Sequence, residues 1–251
     1  MLFIKGKEIG MGKPLVCVPV MATEEKDIVK QIIDLAQQNT DMVEWRLDAF
    51  ANAKSMNAIR QVLEEVKGKL GNTILLATFR SKVQGGLLEV DHETLEDIHQ
   101  VCAESKVVDL VDIELFESEH AKREIEQLQK CGVKIVASHH DFDKTPEAEV
   151  IQMLLEQMKD SGADIVKIAM MPKDIEDVLL VLSETARFHK KYPDTPLVTM
   201  SMGAIGGISR VSGEFFGSCI TFGAGEVASA PGQLPNKELE EILEILHRSI
   251  K

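Results

Sequence analysis

Eight short runs of nearly unbroken apolar residues recur at intervals of about thirty residues: "PLVCVPV" (14–20), "MVEWRLD" (42–48), "ILLATFR" (74–80), "LVDIELF" (110–116), "VKIVASHHDF" (133–142), "DIVKIAM" (164–170), "PLVTMSM" (196–202) and "SCITFGA" (218–224). A strand covered on both faces of a parallel sheet reads this way, whereas a strand with one wet face alternates. Between the runs the period changes to that of a helix. In "TEEKDIVKQIIDLAQQ" (23–38), Ile28, Ile32 and Leu35 fall on one stripe. Thr23 stands where an N-cap belongs, although Lys26 occupies the place of the acid that completes a capping box. Amphipathic stretches follow at roughly 55–69, 91–104, 118–130, 147–160, 174–190 and 237–249, and "GGISRVSGEFFG" predicts a shorter helix near 208–216.

Eight βα units in one chain of 251 residues predict a (β/α)₈ TIM barrel. A doubly wound open sheet would want a glycine-rich turn after its first strand, but the first run leads into "PVMATEEK". Residues 2–13, "LFIKGKEIGMGK", predict a short N-terminal hairpin closing the bottom of the barrel. With no linker or low-complexity tract, residues 1–251 are expected to form a single domain.

Composition narrows the partners. Lysine and arginine number 28 against 41 acids, a net charge of −13, which disfavours nucleic acid and anionic membranes. No apolar run reaches the length of a membrane span, and the N-terminus lacks the apolar core of a signal peptide. Cys17, Cys102, Cys131 and Cys219 are scattered without a C-x-x-C, so reduced thiols in a cytoplasmic protein are expected rather than a metal site.

In a (β/α)₈ barrel the functional groups gather at the C-terminal ends of the strands. Here the second run brings Glu44 and Arg46, the third Arg80, the fifth His139, His140 and Asp141, and the sixth Lys167. The loops after the seventh and eighth runs bring Arg210, Ser229 and Gln233. Three arginines on one rim of an acidic protein suggest a carboxylate or phosphate ligand. Glu44 is expected to orient Arg46 as an ion pair. His139 and His140 point to opposite sides if their strand extends that far, so one of them faces the mouth. Lys167, flanked by Val166 and Ile168, is either an edge lysine snorkelling to water or a desolvated nucleophile. Apolar neighbours and nearby arginines would favour its neutral amine.

The segments "EWRLD", "TFRS", "SHHDFDKTP", "KIAMMP", "MSMGAIGGISR", "FGSCITFG" and "ASAPGQL" occur in this order across most of the chain. In this the chain resembles the type I 3-dehydroquinate dehydratases, Schiff-base lyases of the shikimate pathway. The resemblance implies a (β/α)₈ barrel, commonly a homodimer. It implies dehydration of 3-dehydroquinate to 3-dehydroshikimate, the third step toward chorismate and the aromatic amino acids, with neither metal nor nucleotide cofactor. By motif, Lys167 would form the imine and His140, directly before "DF", would move the proton. Arg210 would hold the substrate carboxylate, while Glu44, Arg46 and Arg80 would bind the ring hydroxyls and order the site. Ser229 and Gln233 would belong to a mobile closing loop.

Two positions depart from the family pattern. Gln84, in "FRSKVQGG", stands where relatives usually have a glutamate that assists the histidine, and His139 stands where they often have asparagine. Two other readings remain open at this point. A Schiff-base aldolase would use "GAIGG" and "FGAG" for a phosphate, and a catalytically weak homologue would bind a dehydroquinate-like ligand as a sensor.

Overall fold

The computed structural model describes residues 2–10, 12–225 and 229–250. Met11, in the hairpin segment, and Ala228, in "ASAPGQL", lie outside these residues. A two-stranded antiparallel ribbon opens the chain, β1 (Leu2–Ile4) and β2 (Lys7–Ile9). Its turn places Lys5 and Gly6 at φ 48° and 80°, the left-handed pair that a two-residue hairpin requires. Eight strands follow: β3 (Leu15–Val20), β4 (Met42–Arg46), β5 (Ile74–Thr78), β6 (Leu110–Glu114), β7 (Lys134–Asp141), β8 (Ile165–Met170), β9 (Leu197–Ser201) and β10 (Ile220–Phe222).

All eight pair in parallel in the order β10-β3-β4-β5-β6-β7-β8-β9. The sheet closes on itself where the Cys219 N–H donates to the Leu197 carbonyl at 2.8 Å and Leu197 bridges Ser218. The expected (β/α)₈ barrel is therefore present. Around it run α1 (Glu25–Gln37), α2 (Met56–Val66), α3 (His92–Glu104), α4 (Ala121–Lys130), α5 (Ala148–Asp160), α6 (Ile175–Lys191), α7 (Gly207–Val211), α8 (Gly213–Phe216) and α9 (Asn236–Ile250).

Local chemistry sets several helix starts. Ser55, Asp91 and Asp174 accept the Ala58, Thr94 and Asp177 N–H groups as caps. Thr23 does not cap α1. Glu24 takes the N-cap position without a side-chain bond, and the Thr23 carbonyl accepts the Ala51 N–H at 3.0 Å instead. The single helix expected near 208–216 is two, broken at Ser212. A Cβ on Gly213 would lie 2.5 Å from the Ser218 carbonyl oxygen, so the chain turns sharply there against β10.

Strand alternation divides the core into two regions. Outward residues such as Val43, Trp45, Leu75 and Ile113 pack under the helices against Ile59, Leu63, Ile98 and Ile125. Inward residues Met42, Ile74, Leu110, Val136 and Ile165 fill the lower barrel, where Ile4 and Ile9 of the ribbon join them. Lys5 and Lys7 pin the ribbon to Asp109 and Asp41 at 2.6 Å each. The hairpin thus closes the bottom as expected. Cys17, Cys102 and Cys219 are buried free thiols, and no helix among the described residues is long and apolar enough to cross a membrane.

Candidate active site

The inward face changes character two residues further along β4, β6, β7 and β8. Above Met42 come Glu44 and Arg46; above Leu110, Asp112 and Glu114; above Val136, Ser138 and His140; above Ile165, Lys167. These groups meet in a cavity of about 50 Å³ at the C-terminal mouth, lined by Glu44, Arg46, Arg80, Gln84, His140 and Lys167 and roofed by Ser229, Ala230 and Gln233. Two hollows of about 490 Å³ each lie beside α1 and α9, away from Lys167 and His140. Convergent chemistry, rather than size, selects the site.

Lys167 is 4% exposed, which excludes the snorkelling edge lysine. Its Nζ lies 3.3 Å from Asp112 Oδ2 and 4.5 Å from the centre of the Phe222 ring. The arginines expected to be its electrostatic neighbours are therefore preceded by an acid. The other oxygen of Asp112 accepts Arg80 Nη2 at 2.9 Å and the Ser138 hydroxyl at 2.6 Å. Burial alone would raise the Asp112 pKa, but Arg80, Lys167 and the hydrogen bonds outweigh it and hold the carboxyl below its ordinary range. Burial likewise opposes the charge on Arg80, and Asp112, Glu114 and Glu44 overcome it.

Arg46 is not paired with Glu44. Its Nε and Nη2 grip Asp48 in a two-pronged bond, 2.8 Å each, while Glu44 accepts the Thr78 hydroxyl at 2.8 Å. Asp48 also accepts the Leu87 and Arg80 backbone N–H groups. Three cationic side chains, Arg46, Arg80 and Lys167, pair with three carboxylates, Asp48, Asp112 and Glu114. The positive rim expected from three arginines is thus largely neutralised from within.

Arg210 is the exception. It is 1% exposed and makes no ion pair among the described residues. Its guanidinium reaches the Pro231 carbonyl at 2.9 Å and the Met200 sulfur at 3.7 Å, and its Nε has no partner. Burial lowers its pKa to about 10. It lies behind Met200 and the 229–235 loop instead of lining the cavity directly. That loop is folded over the mouth: Gln233 Oε1 accepts the Ser229 N–H at 2.8 Å and Gln233 Nε2 donates to Ser229 Oγ at 3.0 Å.

Of the paired histidines, His140 faces the cavity. His139 packs edge-on against Phe116 at 5.4 Å on the outer side. Burial, then Arg80, Lys167, Arg46 and His139, press the His140 pKa well below the ordinary imidazole value, leaving the ring neutral near pH 7. Gln84 fixes its tautomer. Gln84 Oε1 accepts the His140 backbone N–H at 2.8 Å and lies 3.1 Å from Nδ1, while Gln84 Nε2 donates to Glu117 at 2.8 Å. A backbone N–H needs an oxygen opposite it and a carboxylate needs a donor, so the amide has one allowed orientation. Nδ1 must then carry the proton, leaving the Nε2 lone pair free.

The stretch after β5 builds this contact. Ser81 Oγ accepts the Gln84 N–H to close a single 3₁₀ turn. Gly85, at φ 86°, passes so close to Phe142 that a Cβ would meet its ring. Asp48, Asp112, Glu114, Ser138 and Glu117 were not singled out from the sequence. The signal for the acids in "VDIEL" was their spacing of two, which places both inward.

Residues 16–250 match the family model described as type I 3-dehydroquinase. The chain is 41% identical to the 3-dehydroquinate dehydratase of Clostridioides difficile strain 630 over 98% of this chain and 97% of that one. It is 41% identical to that of Bacillus subtilis strain 168 over 100% and 98%. A Clostridium difficile type I 3-dehydroquinate dehydratase solved with covalently modified comenic acid superposes with a TM-score of 0.94 at 40% identity, covering 99% and 98% of the two chains.

The site's geometry predicts that Asp112→Asn lowers the unfolding free energy by about 3–5 kcal/mol at neutral pH, because it leaves buried cations uncompensated. Below the unfolded carboxyl pKa of about 3.9 the unfolded chain binds a proton that the native state still lacks; above it both states are ionised and this stabilisation is complete. It disappears as pH falls through the depressed native value. Urea titrations of both proteins at neutral and acid pH should show the gap closing; an equal gap at both would refute the assignment.

Proposed function

The chain belongs to the type I 3-dehydroquinase family, hydro-lyases that dehydrate 3-dehydroquinate in the shikimate pathway through a Schiff base, and on that premise we propose how its own residues share the reaction. Lys167 attacks the C3 ketone of 3-dehydroquinate, and loss of one water gives a protonated imine. The supporting observation is its buried Nζ opposite Asp112. An iminium carries the same charge as the ammonium it replaces, so Asp112 faces a cation before and after condensation.

The imine withdraws electrons from C2, and the free His140 Nε2 takes the C2 proton, leaving an enamine. The enamine electrons then expel the C1 hydroxyl as His140 returns its proton, so water leaves. Hydrolysis of the imine releases 3-dehydroshikimate and regenerates Lys167. His140 follows Ser138 on β7, and Ser138 registers with Lys167 on β8, so the base sits one layer above the nucleophile.

Arg210, the buried cation without an acid, takes the substrate carboxylate. Glu44, which makes no ion pair among the described residues, and the Arg46 Nη1, outside the Asp48 bonds, face the ring hydroxyls. Arg80 commits Nη1 and Nη2 to Asp112, Glu114 and Ser138, which supports an ordering role for it. Ser229 and Gln233 close the roof. The aldolase reading loses its basis, since the glycine-rich loops hold the buried Arg210 and the family is that of a dehydratase. We place the enzyme in the cytoplasm as a homodimer on the family resemblance; light scattering that gives the mass of one chain would remove the dimer.

Incubation with 3-dehydroquinate and borohydride should add a reduced adduct to Lys167, located by peptide mass mapping. Lys167→Ala should lower kcat about 10⁴-fold or more while keeping the native circular dichroism. Dehydration by that variant at near-normal rate would overturn the covalent assignment. Arg210→Met should raise KM about 10- to 100-fold through loss of a charge-assisted bond. The same change should stabilise the ligand-free protein by about 1–2 kcal/mol, because it removes a desolvated, unpaired charge. Steady-state kinetics and urea unfolding on one preparation check both signs together.

A further inference from the structure

Gln84 is 1% exposed, and its two polar atoms join the end of β7 to the loop after β6. On one side Oε1 receives the His140 backbone N–H and faces Nδ1; on the other, Nε2 donates to Glu117 Oε1 at 2.8 Å. Glu117 is exposed, in the connection between β6 and α4. Its carboxylate therefore stays in contact with water. Its charge reaches inward along one well-aligned amide.

The surroundings of His140 give this line its importance. Arg46 on β4, Arg80 after β5, Lys167 on β8 and His139 on its own strand all disfavour an imidazolium there, as does burial. Glu44 lines the same cavity but accepts the Thr78 hydroxyl, while Asp112 and Glu114 are engaged by Lys167 and Arg80. Asp141, next along β7, turns to the Asp143 and Lys144 backbone N–H groups. A ring that must accept a proton from carbon and hold it needs a stabilising partner at Nδ1–H. A neutral amide supplies only a dipole; an amide polarised by a carboxylate supplies more.

We propose that Glu117 is a positioning residue for the proton shuttle, acting through the Gln84 amide to hold His140 in the Nδ1–H tautomer and to stabilise its imidazolium. This rests on His140 being the shuttle. No proton travels through the amide. His140 Nε2 gains the substrate proton and returns it to the departing hydroxyl, while Nδ1–H stays on Gln84 Oε1. The neutral glutamine and the exposed acid together do what a carboxylate at position 84 would do alone, and the two arrangements are mutually exclusive. An acid at 84 would meet Glu117 oxygen to oxygen across the present hydrogen bond.

That exclusivity supplies the test, a cycle of Glu117→Gln and Gln84→Glu in the full-length enzyme. In each variant kcat and KM for 3-dehydroquinate are followed from acid to neutral pH. Glu117→Gln alone should lower kcat about three- to tenfold with KM unchanged. It should also move the acid limb of the kcat profile to lower pH, since an anion near the ring is lost. With Gln84→Glu already present, the same Glu117→Gln change should be harmless or beneficial, and the acid limb should lie above that of the wild type. An equal effect of Glu117→Gln in both backgrounds, or no effect in either, would overturn the proposal. His140→Ala separates the two levels of the argument. If it abolishes turnover while Glu117→Gln is silent, only the Glu117 link falls; if it retains turnover, the shuttle assignment falls with it.

Discussion

The buried Asp112 carboxylate is the interaction on which the site depends. From one position on β6 it ties β8 through Lys167, β7 through Ser138 and the end of β5 through Arg80. Removing three charges from water would cost several kcal/mol each if they were left alone. The cost is offset because both oxygens are occupied by cations or a hydroxyl, and Glu114 supplies Arg80 with a second acid at 2.7 Å. In the proposed mechanism the Lys167 amine is thereby held in place by an ion pair that would survive its conversion to an iminium. The anchor does not have to be rebuilt during turnover.

This arrangement is possible because the barrel interior is divided along its axis. The lower half is aliphatic and plugged by Ile4 and Ile9; hydrophobic burial there stabilises the closed sheet without help from the polar half. The upper half is then free to carry charges for chemistry, provided they balance locally. Its fine positioning comes from short loops. The 3₁₀ turn at Leu47–Ala49 brings Asp48 back under Arg46, and the turn at Lys82–Gln84 seats the amide beside His140.

The barrel was legible because both-face burial makes parallel strands read as apolar runs, and the helices between them keep a clean stripe. Lys167, His140 and Arg80 were legible as polar groups at strand ends. The pairings were not. Period-two reasoning set Glu44 beside Arg46, but Arg46 ends its strand and the chain bends into a 3₁₀ turn, so its partner is Asp48 beyond the bend. Asp112 and Glu114 looked like ordinary members of a strand, because the residues they meet come from β5, β7 and β8 and are neighbours only once the sheet has closed. The same holds for Gln84. Read alone it is a missing carboxylate; in the folded chain the loop after β6 brings Glu117 to its amide.

On the proposed reading Arg210 would let closure and capture share one residue without competing for it. The guanidinium gives Nη2 to the Pro231 carbonyl, a backbone atom of the roof loop, and keeps Nε unpartnered and Nη1 on a sulfur, a weak acceptor. In the proposed reaction a substrate carboxylate would therefore find unspent donors on an arginine already holding the loop down. Each bond reduces the motion of the same side chain, so making one lowers the ordering cost of the other. The free enzyme carries a desolvated charge without a carboxylate partner among the described residues, and on the proposed reading the substrate would supply that partner beneath the roof loop.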